Sequence, residues 1–145
     1  RNILFYSKIG LPDTFETRIY LMFFHFSIIM IIFKEKKTKF DQKLYDNLFH
    51  DIENNLREAG LGDVSVNKKM KDLNKQLYDI IIKFEKNKNQ GFDISKNLAF
   101  KYFKDLDTKE EIKFNEFNHY FIKFYNFCFE LPPDNMIREA IKFKI

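Results

Sequence analysis

The sequence is poor in the residues that build several common kinds of domain. Its 145 residues include one cysteine, four glycines and three prolines. A single cysteine excludes a disulfide framework and any cysteine-rich zinc or iron–sulfur site, and it suggests a reducing compartment. So few glycines and prolines argue against a turn-dense β-sandwich or barrel and favour long helices.

Charge of one sign is not concentrated in the chain. The 25 lysines and arginines are interspersed with 21 acidic residues, which leaves a net charge of +4 at pH 7. A mildly cationic surface is not by itself a signature of nucleic-acid binding, and we expect no DNA partner. Hydrophobic residues make up 45% of the chain, which excludes disorder by composition, and the length fits one domain over residues 1–145.

Motifs for catalysis are missing as well, since the sequence contains neither a GxGxxG loop nor a P-loop. Cys128 lies on the apolar stripe of a phenylalanine-rich segment, which predicts a buried, inert thiol. A metal site could be built from three residues of the second predicted helix, Asp46, His50 and Glu53, but no second His or Cys lies near them at ligand spacing. The favoured interpretation of these residues is therefore ion pairing on a solvated face of the helix. We expect no catalytic residue, no metal and no cofactor.

Hydrophobic periodicity predicts an all-α fold, a single-domain bundle of about five main helices with a central apolar first helix. Asp13, followed by Glu16 three residues later, is typical of a helix start, and this first helix should run to about Lys34. Apolar residues at three- and four-residue intervals from Phe40 predict a second helix, which Gly60 should end.

The same periodicity continues in the rest of the chain. Ser65 or Asp63 should cap a third helix, and the polar residues 87–91 should break the pattern. A fourth helix is predicted over residues 94–104, and a phenylalanine-rich fifth before Pro132. Asp134 should cap a last short helix.

The first predicted helix is unusual because residues 19–33 carry no charge and are apolar on nearly all sides. This run is shorter than the roughly 20 residues that span a bilayer, so a central core helix is favoured over an integral membrane helix. A third interpretation has one side packed in the domain and the other open to an apolar partner. The sequence leaves these alternatives open.

The third predicted helix carries Lys68, Lys71 and Lys75 on one side. A solvated face is the favoured interpretation, and docking to anionic lipid or ribosomal RNA is the functional alternative.

One set of residues in the first two thirds of the chain occurs in an order that is typical of a known family. Its members are Pro12, Asp13, Thr14, Phe15, Arg18, His25, the segment Leu56–Asp63, Val66, Lys68, Lys69, Met70, Lys71 and Tyr78. With these residues the chain resembles the ubiquinol–cytochrome c chaperones in their short bacterial form. The resemblance covers residues 12–85 well and the C-terminal third loosely. It departs from the family at Asp79 and Ile80, where a glycine and a basic residue are common, and at Lys68 or Lys69, where arginine is usual.

The resemblance implies a helical assembly factor that is not an enzyme. Mitochondrial members of the family bind newly made cytochrome b, work with a small helical partner protein near the ribosomal exit, and hand cytochrome b on to complex III assembly. We therefore expect cytochrome b as the client, with a small helical partner, the ribosome or an anionic membrane surface as further partners. A bacterial-type member is expected in the cytoplasm, peripheral to the cytoplasmic face of the inner membrane; a eukaryotic one, in the mitochondrial matrix.

The apolar surplus of the first helix suggests a mechanism in which Leu21, Phe24, Ile28 and Ile32 line or border a client groove. For the turn at Gly60–Asp63, a structural role and a partner contact are both open. The alternative function is a basic membrane-surface or RNA-binding helical module without a dedicated client. The candidate client- or partner-binding residues are Asp13, Thr14, Arg18, Leu21, Phe24, His25, Ile28, Ile32, Gly60, Gly62, Asp63, Lys68, Lys69 and Lys71.

Overall fold

The computed structural model describes residues 3–86 and 91–143, without the side chains of residues 85 and 86. These residues form helices and no strand, which confirms the predicted all-α bundle. A π-helical turn (Leu4–Lys8) and a 3-10 turn (Lys104–Leu106) complete the fold, and the predicted break at 87–90 lies outside the described residues. The α-helices are α1 (Phe15–Glu35), α2 (Gln42–Glu58), α3 (Asp63–Lys86), α4 (Lys96–Tyr102), α5 (Ile112–Phe129) and α6 (Pro133–Ala140).

Helix α1 begins one residue later than the sequence pattern predicts. Thr14 has extended backbone angles, and its hydroxyl oxygen accepts a hydrogen bond from the backbone N–H of Thr17 at 3.2 Å. Thr14 is therefore the N-cap, and the prediction of Asp13 was wrong because two neighbouring residues were both good capping residues. Glu16 lies in the first turn, where a negative charge stabilises the helix.

The other helices enclose α1, which confirms the prediction of a central core helix. Helix α2 runs antiparallel to it, with the Phe23 and Phe49 rings 5.8 Å apart. Phe24 contacts α3 through Phe84, with ring centres 5.3 Å apart, and α5 through Phe117, at 5.8 Å. Aromatic side chains on three neighbouring helices thus cover a helix that has no polar side of its own.

Helices α2 and α3 form an antiparallel hairpin whose turn follows from its glycines and charges. Gly60 ends α2 with a backbone φ of +94°, in the left-handed region, as predicted. Helix α3 then begins at Asp63, so neither Ser65 nor Asp63 is its N-cap, and that prediction was wrong. Asp63 instead forms an ion pair with Arg57 across the turn. The α3 core stripe is confirmed by buried residues Val66, Leu73, Leu77, Ile80 and Phe84.

The C-terminal helices differ from their predicted bounds at the N-caps. Helix α4 begins only at Lys96, because the Ser95 hydroxyl accepts a hydrogen bond from the backbone N–H of Leu98 at 3.2 Å. The residue before α6 is Pro132, so the prediction of Asp134 as its cap was wrong. Cys128 is buried on α5 as predicted, and burial raises the pKa of its thiol to about 12.

His25 joins α1 to α5 inside the bundle. Its Nδ1 lies 2.7 Å from the backbone oxygen of Leu21, and its Nε2 lies 2.8 Å from the hydroxyl oxygen of Tyr120. Because a carbonyl oxygen only accepts, Nδ1 carries a proton. Since burial keeps the imidazole neutral at pH 7, Nε2 accepts from the Tyr120 hydroxyl. Burial lowers the pKa of His25 to about 4, against the opposing effect of the Leu21 hydrogen bond.

Titration of His25 should make the stability depend on pH. The unfolded chain, with a histidine pKa near 6.5, binds more protons than the folded chain between pH 6.5 and about pH 4. The contribution of His25 to the free energy of unfolding should therefore be complete above pH 6.5. It should decrease by about 2–3 kcal/mol as the pH falls to 4. Urea titrations at several pH values in this range give the free energy of unfolding as a function of pH. This free energy should change less with pH in His25→Gln than in the exposed control His50→Gln. An equal pH dependence in both variants would contradict a buried, neutral His25.

Lys36, just after α1, caps the C-terminal end of α5. Its ammonium group donates hydrogen bonds to the backbone oxygens of Phe129 and Leu131, the latter at 2.8 Å, and lies 5.0 Å from the Phe129 ring centre. The last carbonyls of a helix have no partner within the helix, so this side chain satisfies groups that would otherwise need water.

Removing this cap should destabilise the fold without changing its shape. Lys36→Met should lower the free energy of unfolding by about 1–2 kcal/mol, because two carbonyl partners and a favourable charge at a helix C-terminus are lost. Lys39→Met, at an exposed position of the same loop, should change it little. Urea titrations of both variants measure the difference, and equal losses would reject the capping role.

Candidate functional site

The structure does not bring the predicted partner residues into one site. Asp13, Thr14 and Arg18 lie exposed at the start of α1, where Thr14 has a structural role as the N-cap. His25 lies between α1 and α5, as described above. The remaining polar candidates belong to the α2–α3 turn and to α3.

The predicted client groove on α1 is absent, and this prediction was wrong. The exposed fraction of Leu21 is 6%, and that of Phe24, Ile28 and Ile32 is 0%. Phenylalanines of α5 cover this side of the helix, as the 5.7 Å distance between the ring centres of Phe24 and Phe121 shows. These four residues are part of the core and cannot line an open groove in this fold.

The exposed apolar surface of α1 lies elsewhere, on one strip. Met22 is 41% exposed, and Phe15 and Phe26, seven residues before it and one turn after it, are partly exposed. Helix α1 is also the helix of the described residues that is long and apolar enough to cross a membrane, and 56% of its most apolar window is buried in the bundle. A core helix passes the same test of length and composition, and the packing around α1 identifies it as one.

The turn between α2 and α3 has a structural explanation at each of its candidate residues. Gly60 needs its left-handed backbone, although a side chain there would meet open space. Gly62 precedes α3 at its N-cap position, where glycine is among the favoured residues, and its carbonyl accepts from Val66 at 2.9 Å. Asp63 pairs with Arg57. A partner contact at this turn stays a prediction.

The outer side of α3 carries a continuous row of exposed side chains, which we call the α3 row. Val64, Tyr78 and Ile82 are 85%, 56% and 50% exposed. The lysines of this row were predicted from the sequence, but its apolar residues Val64 and Ile82 were missed. The three- and four-residue spacing that groups the lysines would also have placed these two residues on the same side of the helix. Lys69 lies partly buried off the row. The α3 row consists of Val64, Lys68, Lys71, Lys75, Tyr78 and Ile82, all exposed.

A shallow cleft of about 350 Å³ lies beside the row, between α1, α3 and α4. At its centre, Asp79 accepts hydrogen bonds from the Tyr102 hydroxyl at 2.6 Å and from the Lys101 ammonium at 2.8 Å. Lys83 pairs with the same carboxylate at 3.3 Å. The lining residues are Tyr20, Lys75, Gln76, Asp79, Lys101 and Tyr102.

The electrostatics of the cleft are set by this carboxylate. Partial burial alone would raise the pKa of Asp79, but hydrogen bonds from Lys101, Tyr102 and Lys83 outweigh it and lower the pKa to about 2. Burial, followed by the hydrogen bond to Asp79, raises the pKa of the Tyr102 phenol. The cleft thus holds a permanent carboxylate and a neutral phenol, and it ties α3 to α4 rather than providing an acid–base pair.

The other titratable cluster, on α2, consists of ordinary surface pairs. Glu53 lies 3.6 Å from Arg57 one turn later, which confirms the predicted ion pairing. Asp46 accepts a hydrogen bond from Gln42 at 3.1 Å. His50 is exposed on the same face.

Comparison with known proteins identifies the family of the chain. The model of the ubiquinol-cytochrome C chaperone family matches residues 7–98, which is more than half of the chain and extends from the N-terminal turn into α4. No curated protein and no solved structure gave a match. The matched region contains all of the candidate partner residues, the α2–α3 turn and the α3 row, and the chain belongs to the ubiquinol-cytochrome C chaperone family.

Proposed function

We propose that the protein is a non-catalytic chaperone that binds newly made cytochrome b and assists the assembly of ubiquinol–cytochrome c reductase. The family match over residues 7–98 supports a chaperone role and carries this proposal. The finer points, the client and the complex it enters, follow from the resemblance to the family.

The surface of the chain agrees with such a role. A newly made membrane protein exposes apolar helices that aggregate in water until they are inserted or covered. The chaperone keeps most of its apolar core helix enclosed, and on that helix it offers exposed apolar surface at Met22. Client contact is therefore proposed at the strip of α1 that contains Phe15, Met22 and Phe26, and not at the buried face of this helix.

The proposal also includes a cellular location and macromolecular partners. The protein works at the cytoplasmic face of the inner membrane, or in the mitochondrial matrix if it is eukaryotic. A small helical partner protein and the ribosome are the proposed macromolecular partners, because a client is best captured as it is made. The excess of four positive charges favours both the ribosome and anionic lipid.

Deletion of the gene in its native host tests the function. Assembled reductase and the level of cytochrome b should both fall, while the other respiratory complexes stay at their normal levels, and expression of the full chain should restore both. Normal amounts of reductase in the deletion strain would overturn the proposal.

A photocrosslinking amino acid at Met22 tests client contact directly. It should capture cytochrome b during synthesis, whereas the same crosslinker at Asp46, on the solvated face of α2, should capture little. Equal capture at both positions would exclude α1 as a client surface. The alternative function, a basic membrane-surface or RNA-binding module without a client, predicts neither crosslinks to cytochrome b nor loss of the reductase.

A further inference from the structure

We propose that the α3 row is a docking surface for an anionic phospholipid bilayer. The inference deepens the membrane placement given above and rests on the proposed function for its biological role. Its physical basis is independent of any client, since it depends on the side chains that α3 presents to solvent.

The geometry of the row suits a broad, flat partner. Its members follow one another at intervals of four, three, four, three and four residues, so they lie on one side of the helix. Over 18 residue steps the row extends about 27 Å along the surface. Its lysines lie in the middle, with Val64 at one end and Tyr78 and Ile82 at the other. The opposite side of α3 is the buried core stripe, so docking leaves the packing of the bundle unchanged.

The charges of the row are available for a partner. Lys68, Lys71 and Lys75 are exposed, and none of them forms an ion pair with a residue in 3–86 or 91–143. Two acids of the same helix are engaged elsewhere, Asp63 with Arg57 and Asp79 with lysines. Asp72 is exposed beside the row and not in it.

Basic side chains also lie beside the row. Lys101 on α4 and Lys83 on α3 share the single carboxylate of Asp79, so this cluster keeps one excess positive charge next to Lys75. A surface that spans two helices matches an extended anionic plane better than it matches a single acidic helix. This arrangement is what electrostatic attraction to anionic lipid headgroups requires.

The apolar ends of the row distinguish a bilayer from RNA. Lysine ammonium groups reach the lipid phosphates while their stems lie along the surface, and tyrosine is typical of the membrane–water interface. Val64 and Ile82 can insert among the headgroups and contribute attraction that salt does not screen. RNA bases can stack on Tyr78, but RNA provides no apolar layer into which Val64 and Ile82 could insert, so binding to RNA should depend more steeply on salt than binding to a bilayer.

Vesicle flotation with the purified full chain tests the electrostatic part. Vesicles of phosphatidylcholine with phosphatidylglycerol should bind the protein, and vesicles of phosphatidylcholine alone should bind it much more weakly. Each row lysine should contribute about fivefold, so the triple variant K68Q/K71Q/K75Q should lose roughly a hundredfold in affinity at low salt. Equal binding to both kinds of vesicle would overturn the proposal.

A matched variant separates the row from net charge. The triple variant K39Q/K43Q/K109Q removes the same number of exposed lysines outside α3 and should retain most of the binding. Circular dichroism should show that both variants keep their helix content, because all six side chains are exposed. Equal losses in the two variants would show that only the total charge matters and would reject the row as the docking surface.

An environment-sensitive dye tests the orientation. The native Cys128 is buried with a raised thiol pKa, so a thiol-reactive fluorophore should label only an introduced cysteine. On anionic vesicles the dye at Ile82→Cys should shift to the blue, and the dye at Ile112→Cys, an exposed position on α5, should not. If the dye shifts at neither position, and if the protein binds RNA more tightly than vesicles in a salt-sensitive way, the partner of the row is RNA and the proposal of a bilayer is rejected.

The vesicle experiment contains no client, so its outcome is independent of the deletion experiment. A protein that binds anionic vesicles through the row but whose deletion leaves the reductase intact would keep the inference and reject the proposed function. A protein whose deletion lowers the reductase but that does not bind anionic vesicles through the row would keep the proposed function and reject only the inference about the row.

Discussion

The burial of α1 is the constraint on which the rest of the structure depends. A helix that is apolar on nearly all sides is stable in water only when other helices remove each side from solvent. Aromatic side chains do this here, and Phe24 alone lies beside rings of α3, α4 and α5. The fold therefore uses most sides of its most hydrophobic segment for its own core and leaves the strip at Met22 exposed.

The cover of α1 comes partly from outside the region that matches the family. Residues 7–98 contain α1, α2 and α3, whereas Phe117, Tyr120 and Phe121 belong to α5. The hydrogen bond from Tyr120 to His25 and the ring contacts of Phe24 tie this later helix to the matched region. His25 gains its Tyr120 partner by this arrangement, while the buried hydroxyl of Ser27, also on α1, has no hydrogen-bond partner among the described residues. The phenylalanine-rich α5 thus completes a core that α1 to α3 would leave open on one side.

Local sequence signals predicted the helices and their stripes well, because periodicity and a left-handed glycine depend on residues close in sequence. The α3 stripe and the end of α2 at Gly60 are of this kind. The N-cap residues were predicted less well. At the start of α1, the side chains of Asp13 and Thr14 can both accept a hydrogen bond from the first backbone N–H groups, and only the backbone angles decide between them. The burial of Phe24 could not be predicted, because α1 is apolar on nearly all sides and the cover of Phe24 comes from Phe117 and Phe121, more than ninety positions later in the sequence.

The contrast between α1 and α3 indicates where a surface function can arise in this bundle. On helix α1, the side chains outside the exposed strip at Met22 would have to leave the core before they could bind a partner. Helix α3 buries one stripe and leaves the opposite row exposed, so substitutions in the row should cost little stability. Asp79 strengthens this division, because it holds Lys83 and Lys101 in local pairs and ties α3 to α4. Lys68, Lys71 and Lys75 of the row form no ion pair within residues 3–86 and 91–143, and the membrane docking proposed above depends on these exposed charges.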